Sequence, residues 1–352
     1  MKKSFQIGGA FVGLVTGAGF ASGQEIMQYF TSFGVMGVLG GLVATAVFAF
    51  LGMILAQLGS DLQTSSHKEG IYYIGGRYLG FILDMLITAI LFGVAVVMFA
   101  GSGATFQQTF GIHPMIGSII MVIVTILTLL LDVKNILKVV AMLTPYLMGI
   151  IFVILLYSFF TMDYSIGELD IIAREQPAAA SSWWMGAILY VSYNIAAGAA
   201  MLIVMGGTEK NRKVAARGGI LGGIMLGVLI VLINLALLVK MDVAAGTAMP
   251  TLELAKQIHP IVGICMALIL LGMMYNTAIG MFYVFTVRFI SPDKPMFKPT
   301  IVLVGFIGFG ASTVGFTTLV GKLYSTMGYL GFVLVVAILF AWARNGDSIR
   351  QR

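Results

Sequence analysis

Thiol and imidazole groups are nearly absent from this sequence. It has one cysteine, Cys265, in an apolar segment, and three histidines, which lie in loops or near the ends of apolar segments. A single cysteine excludes a disulfide framework or a thiolate metal cluster within the chain. No group of His, Cys, Asp and Glu has the spacing of a metal or nucleophile site, so we expect neither an enzyme nor a resident cofactor or metal.

Charged residues are also scarce, at 10% of the 352 residues against 59% hydrophobic residues. A mean hydropathy of +1.02 is too high for a soluble domain and indicates a polytopic membrane protein. The formal net charge is +6, but the basic residues occur in short groups between apolar runs, as loop residues of membrane proteins do. We therefore predict that the chain is surrounded by membrane lipid and has no nucleic-acid partner.

Windows of about 20 apolar residues predict ten membrane-spanning helices and an all-α fold. Their approximate limits are residues 5–33, 35–58, 79–106, 113–131, 136–160, 183–207, 215–239, 262–287, 300–319 and 323–342. With the amino terminus in the cytoplasm, the outer loops carry only Arg174, Lys240, Lys256 and Lys322 of the 20 lysines and arginines. This asymmetry satisfies the positive-inside rule, and it predicts that both termini are cytoplasmic.

A polar segment at residues 161–182 divides the predicted spans into two sets of five. Because five is odd, the two sets enter the membrane from opposite sides, which predicts an inverted repeat. We place the first repeat at about 5–160, the second at about 183–343 and a short cytoplasmic tail at 344–352. The whole chain is then a single transmembrane domain.

The first predicted span contains an unusual stretch, Gly17-Ala18-Gly19-Phe20-Ala21-Ser22-Gly23-Gln24-Glu25. Glycine weakens helix interiors, and unwound backbone is tolerated in lipid only where it is buried in protein or lines a watery cavity. The first span of the second repeat has a similar polar interruption around Asn194. Paired interruptions at corresponding positions point to a binding site at the membrane midplane, so we predict that the first and sixth helices are both broken there.

A broken helix exposes carbonyls at the end of one half and N–H groups at the start of the other, which suit a cation and an anionic group respectively. Here the carbonyls of Gly13 and Thr16 are candidates for a small cation, and the outer half beginning near Ser22 is expected to present its N–H groups to a carboxylate. Asn276 and Thr277 in the eighth span supply further oxygens. The alternatives are close helix packing for the glycines and interhelical hydrogen bonds for Asn276 and Thr277.

Glu25 is the most expensive side chain to place within this membrane domain. A carboxylate at the bilayer centre costs roughly 2.5 kcal/mol or more unless it is paired, solvated or protonated. It is a candidate for binding the amine of a cationic or zwitterionic solute, or for carrying a coupling proton. The alternative places Glu25 at the outer interface, where it caps a helix in water.

A short outer helix is predicted between the seventh and eighth spans, at Thr251-Leu252-Glu253-Leu254-Ala255-Lys256. Thr251 is the candidate N-cap. Such a helix is placed to act as a lid over an outer vestibule.

The stretch from Gly17 to Glu25, together with the chain length and the ten spans, resembles the YkvI-like family of bacterial membrane proteins. That family is similar to a branch of the amino acid-polyamine-organocation superfamily with the LeuT-like fold. Supporting stretches are His67-Lys68-Glu69-Gly70-Ile71-Tyr72-Tyr73, which resembles the permeases' loop before the third span, and Val133-Lys134-Asn135-Ile136-Leu137-Lys138-Val139-Val140, which is similar to the start of the fifth span in sodium symporters. The resemblance implies a five-plus-five inverted repeat.

The resemblance also implies roles for individual residues. It places Gly13 and Thr16 where relatives offer carbonyls to sodium, and Asn276 and Thr277 where the eighth span supplies two hydroxyls. The asparagine in place of one hydroxyl leaves the identity of the ion open. Phe20 stands where some relatives have an asparagine ligand, so we expect no second sodium site.

The implied solute pocket combines both interrupted spans. Its residues are Gly19, Phe20, Ala21, Ser22, Gly23, Gln24, Glu25, Tyr193, Asn194 and Gly198, with Met98, Phe282 and Tyr324 as further lining.

From these observations we expect a secondary active transporter of the bacterial cytoplasmic membrane. It would move a small amino-acid-like or amine solute by alternating access, with sodium as the coupling cation. One alternative is a proton-coupled carrier that uses Glu25. Another is a non-transporting membrane sensor of the same fold, similar to a germinant receptor subunit.

Overall fold

A computed structural model of the chain describes residues 2–64, 67–131 and 143–349, and these residues form helices and short connections with no strand among them. The helices of the first half are α1 (Lys2–Val15), α2 (Ala18–Ala21), α3 (Gln24–Tyr29), α4 (Met36–Leu62), α5 (His67–Phe110), α6 (Pro114–Leu131) and α7 (Leu143–Phe160). A 3₁₀ turn at Thr31–Phe33 joins α3 to α4.

The second half follows a short connecting helix. The helices are α8 (Ile166–Arg174) in the connection, then α9 (Trp183–Gly207), α10 (Arg212–Val239), α11 (Met241–Ala244), α12 (Pro250–Ile258), α13 (Pro260–Phe289), α14 (Phe297–Ser312), α15 (Phe316–Thr318) and α16 (Ser325–Ile349). A π-helical turn at Leu319–Tyr324 links α15 to α16 without a break in the chain direction.

The described helices account for the ten predicted spans. Seven are long and apolar enough to cross a membrane, and two shorter apolar helices lie at Tyr146–Phe160 and Phe297–Ser312. The segment α1 to α3 supplies the remaining span in pieces. The prediction of an all-α polytopic membrane protein is therefore confirmed.

The structure agrees with the predicted start of the third span but not with the predicted end of the ninth. Helix α5 is divided by a kink at Gly76, whose φ of 64° and ψ of −161° are not helical, so a short piece from His67 precedes a span that begins near the predicted limit, Leu79. Helix α14 ends at Ser312 rather than near Leu319, since Gly315, with a φ of 97°, turns the chain into the last span. The predicted start of the fifth span lies outside the described residues.

The predicted break in the sixth span is also wrong, because α9 is one continuous helix from Trp183 to Gly207. The Asn194 side-chain amide donates to the Tyr190 carbonyl one turn earlier, at 2.9 Å. A polar side chain that is satisfied by its own helix does not need an unwound backbone. Gly198 serves packing instead: a Cβ there would lie 2.7 Å from Leu14 Cδ2 on α1.

The helices pack in two groups. In the first group, α4 contacts α9 and α10, and α1 lies against α10, while in the second group α5 contacts α6, α13 and α14. Small residues allow close contact in the first group: a Cβ on Gly52 of α4 would lie 2.8 Å from the Gly219 carbonyl of α10. Such contacts are how transmembrane helices approach without a hydrophobic driving force between them. The broken first span lies between the two groups, because α1 packs against α10 of the first group and α2 contacts α5 and α13 of the second.

Candidate functional site

The inner end of the break follows the last turn of α1. Thr16 N donates to the Val12 carbonyl at 2.8 Å, but Gly17 N donates to Val15 at 2.7 Å instead of reaching four residues back to Gly13. The helical ladder therefore ends here, and the Gly13 carbonyl loses its usual partner at residue 17. The predicted interruption of the first helix is confirmed.

A cavity of about 520 Å³ reaches this end of the break. Its lining includes Gly13 on α1 and Asn276 and Thr277 near the middle of α13, and it extends to Arg288 in the last turn of α13. Thr277 Oγ1 lies 3.9 Å from the position that a Cβ on Gly17 would occupy. The fold thus brings three of the four residues predicted to bind a cation to one cavity.

Thr16, the fourth predicted cation ligand, is placed differently. Its side chain is buried, and its hydroxyl donates to the Val12 carbonyl at 2.8 Å. The hydroxyl is therefore committed within α1, and Thr16 does not line the cavity. Its predicted role concerned the backbone carbonyl, and that role stays a prediction.

A second interruption separates α2 from α3. Gly23 adopts a φ of 80°, which side chains disfavour, and the buried Ser22 hydroxyl bridges the gap. That hydroxyl donates to the Gly19 carbonyl at 2.7 Å and accepts from Gln24 N at 3.2 Å. Ser22 thus caps the start of α3 from within the protein.

Helix α12 closes the break on the side opposite the cavity mouth. Thr251 N donates to the Ser22 carbonyl at 3.0 Å, and Thr251 Oγ1 donates to the Ala21 carbonyl at 2.6 Å. The predicted outer helix is present, but the predicted N-cap role is wrong, because Met249 precedes the helix and Thr251 lies within its first turn. Its hydroxyl is used to hold the lid onto the broken span.

The lid is also tied to α5. The Gln108 side-chain amide donates to the Met249 carbonyl at 3.1 Å and to Glu253 Oε2 at 2.9 Å, and its oxygen accepts from Met249 N at 2.9 Å. Lys256 donates to the Gln108 carbonyl from the next turn of α12. These contacts hold α12 over the break between α2 and α3, whereas the cavity lined by Gly13, Asn276 and Thr277 reaches the inner break and extends to Arg288.

We predict that Thr251→Val loosens the lid. Loss of one hydrogen bond to a buried carbonyl costs about 1 kcal/mol, which corresponds to a roughly fivefold shift toward a lid-open state. Leu252, a residue of the lid helix whose side chain is fully buried, reports this opening when it is changed to cysteine in a Cys265→Ala background. The rate of maleimide labelling at that position should rise by about the same factor.

Thr247→Val is the matched control for this measurement. The Thr247 hydroxyl bonds to the Ala244 carbonyl within the same connection, at 2.8 Å, and does not reach the broken span. Equal labelling rates in the two valine variants would contradict a latch at Thr251.

Glu25, in the first turn of α3, points back toward α2 and α9. It is buried, accepts a hydrogen bond from the Tyr193 hydroxyl, and lies against Gly19, where a Cβ would be 2.9 Å from Glu25 Cδ. Within the described residues, Glu25 has no ion-pair partner. The alternative of a solvated cap at the outer interface is wrong, because the carboxylate is enclosed by protein.

Four tyrosines surround this carboxylate. Tyr193 stacks on Tyr324 of the π-helical turn with ring centroids 4.7 Å apart, and Tyr190 lies 5.5 Å from both Tyr29 and Tyr193. The Tyr190 hydroxyl is buried, and it makes no hydrogen bond of good geometry with any residue that the structure describes. A π-turn is frequent at functional sites, and here it positions Tyr324.

Sequence reasoning missed Tyr29 and Tyr190. Tyr190 could have been found from its spacing to Tyr193, because residues three apart share one face of a helix. Of the other predicted pocket residues, Phe20 and Ala21 are fully buried and Asn194 is bonded within α9. These placements leave the role of each in solute binding as a prediction.

Gln24 faces the lid connection instead of the Glu25 pocket. With its amide oriented to satisfy both neighbours, it donates to the carbonyls of Thr247 at 3.1 Å and Ala248 at 3.3 Å and accepts from Gln28 at 2.6 Å. Gln28 in turn donates to the Thr317 carbonyl at 3.0 Å. Gln24 therefore belongs to the closed side of the break.

Asp84 in α5 pairs with Arg288 in α13. Arg288 Nη1 lies 2.6 Å from Asp84 Oδ1 and 2.7 Å from the Thr88 hydroxyl. Both partners are largely buried at the mouth of the cavity. The pair joins α5 to α13 and gives the buried Arg288 guanidinium a counter-charge.

Outside the spans, Glu209 links α1 to the connection between α9 and α10. Its carboxylate accepts from Asn211 N at 2.9 Å and lies 3.2 Å from Lys3 Nζ. These contacts, the backbone hydrogen bond first, lower the pKa of Glu209. The start of α1 is thereby fastened to its own helix group.

Comparison with solved structures identifies the architecture. The inward-facing conformation of Mhp1 superimposes with a TM-score of 0.72, at 15% identity, over 99% of this chain and 77% of that chain. The fold is LeuT-like. MhsT in complex with L-phenylalanine matches with a TM-score of 0.63 at 14% identity, over 96% and 97% of the two chains. A Na⁺-coupled sialic acid symporter in a substrate-bound outward-open state matches at 0.56 and 15% identity, over 94% and 78%.

Two proteins of Bacillus subtilis (strain 168) are similar in sequence. The uncharacterized membrane protein YkvI is 26% identical over 350 residues, which cover 98% of this chain and 97% of YkvI. The uncharacterized protein YyaD is 27% identical over 332 residues, 93% and 94% of the two chains. No family model matches the chain. The predicted resemblance to YkvI-like membrane proteins with a LeuT-like fold is confirmed.

Proposed function

We propose that this chain is a secondary active transporter that moves a small amino-acid-like or amine solute by alternating access, with sodium as the coupling cation. The observation that carries the proposal is the one-sided access to the broken span. A cavity from Arg288 reaches Gly13, Asn276 and Thr277, while the opposite side is closed by Thr251 on the carbonyls of Ala21 and Ser22.

The known proteins of this fold support transport in preference to catalysis. One solved neighbour is a Na⁺-coupled sialic acid symporter, and another was crystallised with an amino acid, L-phenylalanine. Those properties belong to those proteins, and the likeness in fold makes them candidates for this one. The cytoplasmic location of the termini, inferred from the distribution of basic residues, would make the observed state inward-open.

The cation would bind where the two helix groups meet. The backbone carbonyl of Gly13, the amide oxygen of Asn276 and the hydroxyl of Thr277 suit a small hard cation, and they come from α1 in one group and α13 in the other. A cation held between them ties α1 to the second group and orders the break for the solute. Its release frees the inner half-helix, so that solute leaves on the same side.

Uptake into proteoliposomes tests this function. Under an inward sodium gradient the purified protein should accumulate its solute several-fold above equilibrium, and replacement of sodium by potassium should abolish accumulation. Amino acids and amines that raise the melting temperature of the protein are the candidates to assay, because only true ligands stabilise the folded state by mass action.

Other outcomes would point to the alternatives. Accumulation driven by a pH gradient alone, independent of sodium, would overturn sodium coupling and favour proton coupling through Glu25, which is buried without a cationic partner in the described chain. A ligand that binds but is never accumulated under either gradient would overturn transport and favour a sensor.

A further inference from the structure

The tyrosine-lined carboxylate is the most unusual feature of the site. Glu25 is 4% exposed and Tyr193, its hydrogen-bond donor, is 3% exposed. No lysine, arginine or histidine pairs with Glu25 in the parts of the chain that the structure covers. A carboxylate in such a place is costly until a cation or a proton neutralises it.

The surroundings of Glu25 suit an ammonium group. Tyr193 donates to the carboxylate, Tyr324 stacks on Tyr193 with ring centroids 4.7 Å apart, and Tyr190 lies 5.5 Å from both Tyr29 and Tyr193. The hydroxyl oxygens of Tyr190 and Tyr193 are acceptors for an ammonium N–H beside Glu25. A carboxylate within an aromatic cluster is therefore matched to a protonated amine.

The site offers little to a solute carboxylate. Two N–H groups of the outer break already have partners, since Gly23 N donates to the Phe20 carbonyl at 3.1 Å and Gln24 N donates to Ser22 Oγ. Arg288, a basic residue of the cavity lining, is paired through Nη1 with Asp84, although its buried Nε has no partner among the described residues. A second acid group would also be repelled by Glu25.

The cavity indicates what the rest of the solute is made of. Ala197 lines the cavity and lies one turn, about 6 Å, from Tyr193 along α9, while Glu25 itself is not part of the lining. The wall is mostly apolar, with contributions from Leu14, Ile87, Leu91, Met201, Met281 and Val284. A molecule that extends from Glu25 into this space therefore needs an apolar body.

We propose that the solute is a protonated primary amine with an apolar body and no carboxylate, whose ammonium group binds Glu25 among Tyr190, Tyr193 and Tyr324. This inference rests on the proposed function, because it takes the cavity as the path of the solute. It narrows the solute class from amino acids and amines to amines alone.

Matched probe pairs test the proposal. Phenethylamine and L-phenylalanine differ only by the carboxylate, as do isoamylamine and L-leucine. Thermal stabilisation of the purified full chain should show at least one amine binding tenfold or more tightly than its parent amino acid. Equal or tighter binding of the amino acids, or no binding of either amine at about 10 mM, would overturn the proposal.

Two variants locate the binding group. Glu25→Gln should remove amine stabilisation, and Tyr193→Phe should weaken it, whereas Glu175→Gln, at an exposed acid of the connection after α8, should leave it unchanged. Amine binding that survives Glu25→Gln would overturn the assignment. If Glu25→Gln does not fold, the preference between the two members of each probe pair in the wild-type chain still decides the solute class.

The same probes separate this inference from the proposed function. An amine that binds through Glu25 but is not accumulated under a sodium or pH gradient would support the amine site and contradict the proposal of transport. Sodium-driven accumulation of L-leucine or L-phenylalanine, with no binding of the amines, would keep transport and overturn the amine site.

Discussion

Gly19→Ala should abolish solute accumulation, with a loss of 100-fold or more, while the protein still folds. A Cβ at this position would lie 2.9 Å from Glu25 Cδ and nearer still to Oε1. The carboxyl group is the end of a flexible side chain, so it can move aside, and alanine is favoured over glycine in a helix. The cost is functional, because the displaced carboxylate leaves the Tyr193 hydroxyl and the pocket that we assign to the solute.

Uptake and melting temperature should be measured together for this variant. The control is Gly9→Ala, in α1 of the same span, where an added Cβ meets no atom within 4 Å. Both variants should melt close to the wild type, and only Gly19→Ala should lose uptake. Normal uptake by Gly19→Ala would show that the position of the Glu25 carboxylate is not used by the solute.

Thr277→Val should raise the sodium concentration required for half-maximal uptake by about 10- to 100-fold. Valine keeps the shape of threonine and removes the hydroxyl oxygen, and a hydrogen-bond-like contact to a charged group is worth about 1.5–3 kcal/mol. Thr277 lines the cavity, and its hydroxyl faces Gly17 at the inner end of the break. The maximal rate at saturating sodium should fall much less.

Thr286→Val is the control on the same helix. The Thr286 hydroxyl is buried and donates to the Phe282 carbonyl at 2.9 Å, away from the cavity. Sodium titrations of uptake by the two variants should differ clearly. If Thr277→Val shows the wild-type sodium dependence, the cation does not bind between α1 and α13.

The first-span break was predictable because its causes are local. Glycines 17, 19 and 23 and the hydroxyl of Ser22 lie within nine residues of one another, and they interrupt the helix through their own backbone preferences. The same reasoning failed at Asn194, because a polar residue inside a helix has two outcomes. Its side chain either interrupts the helical hydrogen bonds or donates to the carbonyl one turn before it. In α9, Asn194 donates to the carbonyl of Tyr190.

The partners of the polar side chains were not predictable from local sequence. Tyr193 is 168 residues from Glu25, Thr251 is 230 residues from Ala21, and Arg288 is 204 residues from Asp84. In each case the sequence shows that a polar side chain requires a hydrogen-bond or ion-pair partner. It does not show which distant helix supplies that partner.

Composition and local chemistry were enough to establish a ten-span membrane protein with a broken first helix, because lipid permits few other uses of so apolar a chain. Those properties depend on neighbouring residues and on the solvent. Packing between the two helix groups decided that the cavity opens at Arg288, that Thr251 closes the opposite side and that four tyrosines enclose Glu25. These arrangements arise where helices distant in sequence come into contact, so only the tertiary structure contains them.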